Sequence, residues 1–218
     1  MGPLKIGGIY GAIAAFVTVV VSFRFLYLDP ASVADWVLAI FESFAWILVV
    51  TAQLFLAILA AVQVRPVLRE PGVPYRSLLL RDCTLAATVV AVLIGISLLL
   101  SVALQATVFA GPMRDYAREA SPEITSYFNE QRQEIREERE ERGESREEVN
   151  DLPPLASAES VEAGLQPPVL NDLGRSLFNL VMRALLLGGL GAVVGILRGR
   201  SVPADATSDG TLQKSGDS

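Results

Sequence analysis

Four long apolar runs dominate the chain. The first, Ile6 to Tyr27, is interrupted only by Arg24, and the second, Trp36 to Gln63, contains one charge, Glu42. The third, Thr84 to Ala110, contains none, and the fourth, Ser176 to Leu197, contains Arg183. A bilayer hydrocarbon core about 30 Å thick needs roughly 20 helical residues at about 1.5 Å each. Three runs meet that length directly. The uncharged stretch from Ala184 to Leu197 is only about 21 Å of helix, so a fourth span has to include Arg183 and the apolar turns before it. The pattern predicts an all-α integral membrane protein with four transmembrane helices at 6–27, 36–63, 84–110 and 176–198, and a charged extracytoplasmic helical arm between the third and fourth. The first run is longer than a signal-peptide core and has no small-x-small site near its end, which favours a retained helix.

Between the runs the chain is polar. Residues 64–83 carry four arginines and Pro66, Pro71-Gly72 and Pro74, the composition of a basic turn. In the long segment 111–149, Ser121-Pro122-Glu123 reads as a helix start, with an N-cap, a proline at the first helical position and an early acid. Ile124, Tyr127, Phe128 and Ile135 are apolar, but no apolar residue follows until Val149, so a hydrophobic coiled-coil seam cannot extend along the arm. Arg132, Arg136, Arg139, Arg142 and Arg146 fall on one helical stripe among nine glutamates between Glu130 and Glu148. That stripe suits a solvated face with i,i+4 ion pairs, docking to an acidic partner or an identical arm, or a disordered segment. Residues 150–175 read as a Pro/Ala/Ser linker ending at a cap, Asn171 or Asp172, and 199–218 as a disordered tail.

Lysine and arginine counts then orient the spans. Lys5, Arg65, Arg69, Arg76, Arg81, Arg198, Arg200 and Lys214 fall on one side, against Arg24, Arg114, Arg118 and Arg175 on the other. The positive-inside rule puts both termini in the cytoplasm and the arm outside a cell membrane.

Composition narrows the chemistry. Of 218 residues 51% are hydrophobic and 19% charged, with no histidine and one cysteine, Cys83. A histidine base, a catalytic triad, a zinc cluster and an intrachain disulfide are thereby excluded, and no cofactor or metal is expected. Net charge is −6, which disfavours nucleic acid as a partner. Sixteen arginines against two lysines resemble the composition of salt-adapted, high-GC microbes.

Two patterns within the runs point to assembly. Lipid tails are as apolar as leucine, so helices in a bilayer associate where small residues let backbones approach. Gly7, Gly11 and Ala15 form one such stripe, and Gly191, Gly195 and Gly199 with Gly188 form others on the fourth run. They suit packing within a four-helix bundle or a homo-oligomer seam. Polar residues inside spans are functional candidates by default. Arg24, Glu42, Gln105 and Arg183 are predicted to share the outer leaflet as one cluster, with Glu42 paired to Arg183 or Arg24. Gln53 lies on the inner side of its midpoint, apart from that cluster.

The functional expectation is a non-catalytic multi-pass membrane protein that packs in the lipid bilayer with itself or a membrane-protein partner and presents the charged arm outside, with no small-molecule substrate identified. The alternative is a small transporter or channel using the Arg24, Glu42, Gln105 and Arg183 cluster.

Overall fold

The computed structural model describes residues 2–65, 73–142 and 154–201, and among them there is no strand. Among the described residues six α-helices follow in order: α1 Pro3–Ser22, α2 Asp35–Gln63, α3 Tyr75–Ala106, α4 Ala110–Glu141, α5 Ala158–Leu165 and α6 Asp172–Arg200. A short 3₁₀ turn, Arg24–Leu26, follows α1. Helices α1, α2, α3 and α6 are long and apolar enough to cross a membrane.

Several boundaries depart from the sequence expectation, among them α1, which ends at Ser22 and not Tyr27. Helix α3 starts at Tyr75 and ends at Ala106, so much of the predicted loop is helical and the predicted third span closes early. Helix α4 begins at Ala110 and carries Pro122 in its interior, so Ser121 is not a cap. Its hydroxyl instead donates back to the Ala117 carbonyl. A proline inside a helix costs about 3 kcal/mol, and burial of Tyr116, Ala117, Ala120 and Ile124 on the same face offsets it. Within the predicted linker, Ser157 caps α5 by accepting from the Ser160 amide at 3.2 Å. Gly143, Arg146, the remainder of the arm to Glu148, part of the basic turn and the tail from residue 202 lie outside the described residues.

The chain forms two compact units. The first comprises Met1–Val20, Val49–Leu100 and Leu173–Ser218. Its core is built from Ala14, Ala57, Ala60, Ala61, Ala86 and Ala91 with Ile6, Val64, Val90 and Ile94. Many of its large side chains point the other way, with Phe16 68%, Leu185 65% and Phe178 63% exposed. Glycines set the helix spacing. A Cβ on Gly7 would lie 2.6 Å from the Ala86 carbonyl oxygen, and one on Gly195 would lie 2.8 Å from the Leu80 Cα. Both stripes thus face α3 of the same chain, while Gly199 meets Arg76 at ordinary contact distance and Ala15 is half-buried.

The second unit, Val21–Leu48 and Ser101–Asp172, is packed by larger groups. Phe25, Leu38, Tyr116 and Ile124 form its centre, with Phe23, Phe109, Met113, Tyr127 and Phe128 around them. The Phe23 and Phe109 rings meet edge to face at 5.3 Å, a favoured aromatic geometry. Helix α5 covers the arm's apolar turns through Val161 and Leu165. Asn129 ties its leading strand of chain in place, donating to the Ala156 carbonyl at 3.0 Å and accepting from the Ala156 amide at 2.9 Å.

Candidate functional site

In the second unit, Glu42 is the centre of a closed polar group. Helix α2 presents its carboxylate with 5% of the side chain exposed, and the turn after α1 presents Arg24 to it. Arg24 Nε donates to Oε1 at 2.6 Å and Nη2 donates to Oε2, a bidentate pair. Arg24 Nη1 also donates to the Val21 carbonyl at 3.3 Å. The Tyr116 hydroxyl of α4 donates to Oε1 at 2.6 Å, so three donors converge on one carboxylate. Such a group rigidifies the helices that supply it.

Tyr116 was not among the residues singled out from the sequence, although a signal for it exists. Phe109, Met113, Tyr116, Ala120, Ile124 and Tyr127 recur at steps of three and four straight through Ser121-Pro122, the pattern of one continuous amphipathic helix. Burial, followed by the Glu42 charge and the hydrogen bond to it, pushes the Tyr116 hydroxyl well above its ordinary value of 10.0. A proton held more tightly in the folded chain contributes fully below about pH 10, and that contribution falls as pH rises towards the raised folded value. Tyr116→Phe is expected to flatten the alkaline decline between about pH 10 and 11.5 by up to about 1.4 kcal/mol per pH unit. Unfolding followed across that range checks this.

Gln105, expected to join Glu42, has a different task. Its Nε2 donates to the Ser22 carbonyl at 2.6 Å, satisfying an orphan acceptor at the end of α1.

Arg183 requires the larger correction, because its partner is Gln53 of the first unit and not Glu42. Nη1 of Arg183 donates to Gln53 Oε1 at 2.6 Å. Gln53 Nε2 in turn donates to Thr18 Oγ1 at 2.9 Å, and Thr18 donates to the Ala14 carbonyl at 2.7 Å. This chain of hydrogen bonds links α6, α2 and α1. The expected single cluster of four is therefore divided, and the supposed outlier, Gln53, is the residue Arg183 uses. Counting depth from run midpoints failed because helix offset and the reach of an arginine side chain each amount to several ångströms.

A further arginine acts where the sequence indicated only orientation. Arg198 Nη1 donates to the Ala61 and Val64 carbonyls at 2.9 Å each, closing the C-terminal end of α2 as a cation there should. Beside it Cys83 is fully buried, and its Sγ donates to the Ala61 carbonyl at 3.1 Å.

Of the stripe on α4, Arg132 donates to the Pro154 carbonyl, and Arg142 pairs with Glu138 at 2.9 Å with both side chains well exposed. Such a pair contributes a few tenths of a kcal/mol, about 0.3 to 0.5. Arg136 and Arg139 also have polar partners, and Arg146 lies outside the described residues. Among the described residues no group of three metal-ligating side chains converges. No protein-family model matches the chain, and neither a curated protein nor a solved structure matches it.

Proposed function

We propose that the chain is a non-catalytic, four-span protein of the cell membrane that holds a helical headpiece, α4 with α5, outside the cell for a membrane partner. One observation carries this reading: the first unit is built inside out for water. Alanine and glycine line its helix contacts beside a few valines, isoleucines and leucines, while many phenylalanine, leucine and isoleucine side chains face outward along helices long enough to cross a bilayer. In water those exposed faces would form an aggregating surface, whereas in lipid they are solvated and small residues supply the contact. In the second unit the exposed face of α4 is charged, the composition of a surface packed in water, whereas its share of α2 continues the apolar exterior through Phe44, Trp46 and Leu48. The closed Glu42 group supports a structural role for that carboxylate over a conduction path, since its oxygens are already occupied by donors. Ion or solute flux in reconstituted protein that disappears in Glu42→Gln would favour the transporter reading instead.

Orientation is tested with introduced thiols, because the buried native Cys83 should stay unlabelled by a membrane-impermeant maleimide in intact and permeabilised cells alike. Glu141→Cys, exposed on α4, is expected to label in intact cells, and Ser201→Cys only after permeabilisation. The reverse pattern would invert the topology. Deletion of Glu123 to Glu148 should abolish co-purification of a partner that the intact protein retains.

A further inference from the structure

A guanidinium in the interior of an apolar helix carries five N–H donors and a full charge, and each needs a partner where water is scarce. Arg183 has one such partner among the described residues, the Gln53 side-chain oxygen, and no carboxylate pairs with it there. Arg183 lies three residues from the middle of α6, about 4.5 Å along the axis. Its partner also lies away from both ends of its helix: Gln53 is eighteen residues from the start of α2 and ten from its end. The hydrogen bond therefore holds the guanidinium between the helix ends.

Arg183 and Gln53 line a cavity of about 180 Å³ whose other walls are Val50, Leu54, Leu186 and Leu187. Gln53 is only 4% exposed, and its amide nitrogen spends one of two hydrogens on Thr18, leaving the second for a ligand. An apolar cavity of about 150 Å³ accepts a benzene-sized group, so this one has room for a carboxylate and its first methylenes. Leu54 and Leu186, 37% and 63% exposed, continue the apolar wall out to the surface that faces lipid under the reading above.

Resting on that membrane reading, we infer that the Arg183 cavity binds the carboxylate of a single-chain amphiphile, of the fatty-acid class, entering from the lipid phase. A planar carboxylate matches the guanidinium fork, and the remaining Gln53 N–H adds a donor. The aliphatic chain lies along Leu54 and Leu186. A small inorganic anion would lose its hydration among four aliphatic walls with nothing apolar to offer in exchange. A second copy of the chain is a poor source of the acid, because its buried Glu42 is already held by Arg24 and Tyr116.

The test uses the full-length protein in lipid nanodiscs with a diazirine-bearing stearic acid, photolysed and mapped by mass spectrometry. Labelling is expected on peptides containing Leu54 or Leu186, displaced by unlabelled stearate and not by methyl stearate. Arg183→Gln should lower it about tenfold or more, and Arg183→Lys should lower it less. Equal competition by the methyl ester, or undiminished labelling in a folded Arg183→Gln protein, would overturn the site. Should that variant fail to fold, the ester competition on the native protein decides alone. Alkaline carbonate extraction of the same membranes reads the membrane assignment separately: protein that resists extraction yet labels indifferently rejects the cavity assignment and retains the spans.

Discussion

Gly191→Leu is expected to abolish the folded protein, and Gly189→Leu, two residues away on the same helix, to leave it intact. A Cβ at position 191 would lie 2.7 Å from the Cys83 carbonyl oxygen, 2.7 Å from the Ala87 Cβ and 3.1 Å from the Thr84 Cα. Two of those atoms are backbone of α3, so no rotamer change relieves the contact and the two helices must separate. Overpacking a dense core costs about 1 to 3 kcal/mol even when side chains can yield, and a backbone clash belongs at or beyond the upper end. At position 189 nothing lies within 4 Å of an added Cβ, and leucine is the better helix former by close to 1 kcal/mol. The monodisperse fraction by size exclusion in detergent, with thermal unfolding, separates the two. The pair Gly7→Leu and Gly8→Leu on α1 should repeat the contrast, because Gly7 meets Ala86 and Val89 while Gly8 meets nothing. Similar losses at positions 189 and 191 would contradict the packing of α6 on α3.

Glu42→Leu is the second large expectation, a loss of about 3 to 5 kcal/mol. The substitution leaves Arg24 without its bidentate partner, with only 21% of that side chain exposed, and strands the Tyr116 hydroxyl in an aromatic core. The double variant Arg24→Met with Glu42→Leu should recover most of the loss, since replacing both charges by apolar groups removes the uncompensated ion together with the pair. Thermal unfolding of the wild type, both single variants and the double variant gives the coupling directly. A double loss equal to the sum of the single losses would show that the pair does not act as a unit. A charge exchange between Glu42 and Arg183 has no such rescue to offer, because Arg183 uses Gln53.

How far the chain could be read in advance depended on the range of the signal. The long apolar helices were legible because lipid-length runs are a local property, visible without knowing any neighbour. Their small-residue stripes were legible too, through fourfold spacing. Pro122 misled because a proline's local preference for a helix start is worth only a few kcal/mol, and the apolar face on either side of it outweighed that. Helix α5 was hidden for a related reason: eight residues cannot sustain a helix alone, and this one depends on Ser157, Val161 and Leu165 against α4. The apolar runs allow Glu42 to pair with Arg24 or Arg183 and do not choose between them, while Tyr116 as its third donor and Gln53 as the partner of Arg183 join residues 74 and 130 positions apart.

From the chain alone came the number of long apolar helices, the charge difference between their two sets of ends and the exclusion of histidine and zinc chemistry. Each is a matter of composition or short-range period, and each survives any rearrangement of the helices. Only the folded chain decided which polar side chains meet, which glycines touch backbone and which arginine is left short of partners. Those outcomes depend on helix rotation and axial offset, where about 100° per residue and 1.5 Å of rise are enough to exchange one partner for another.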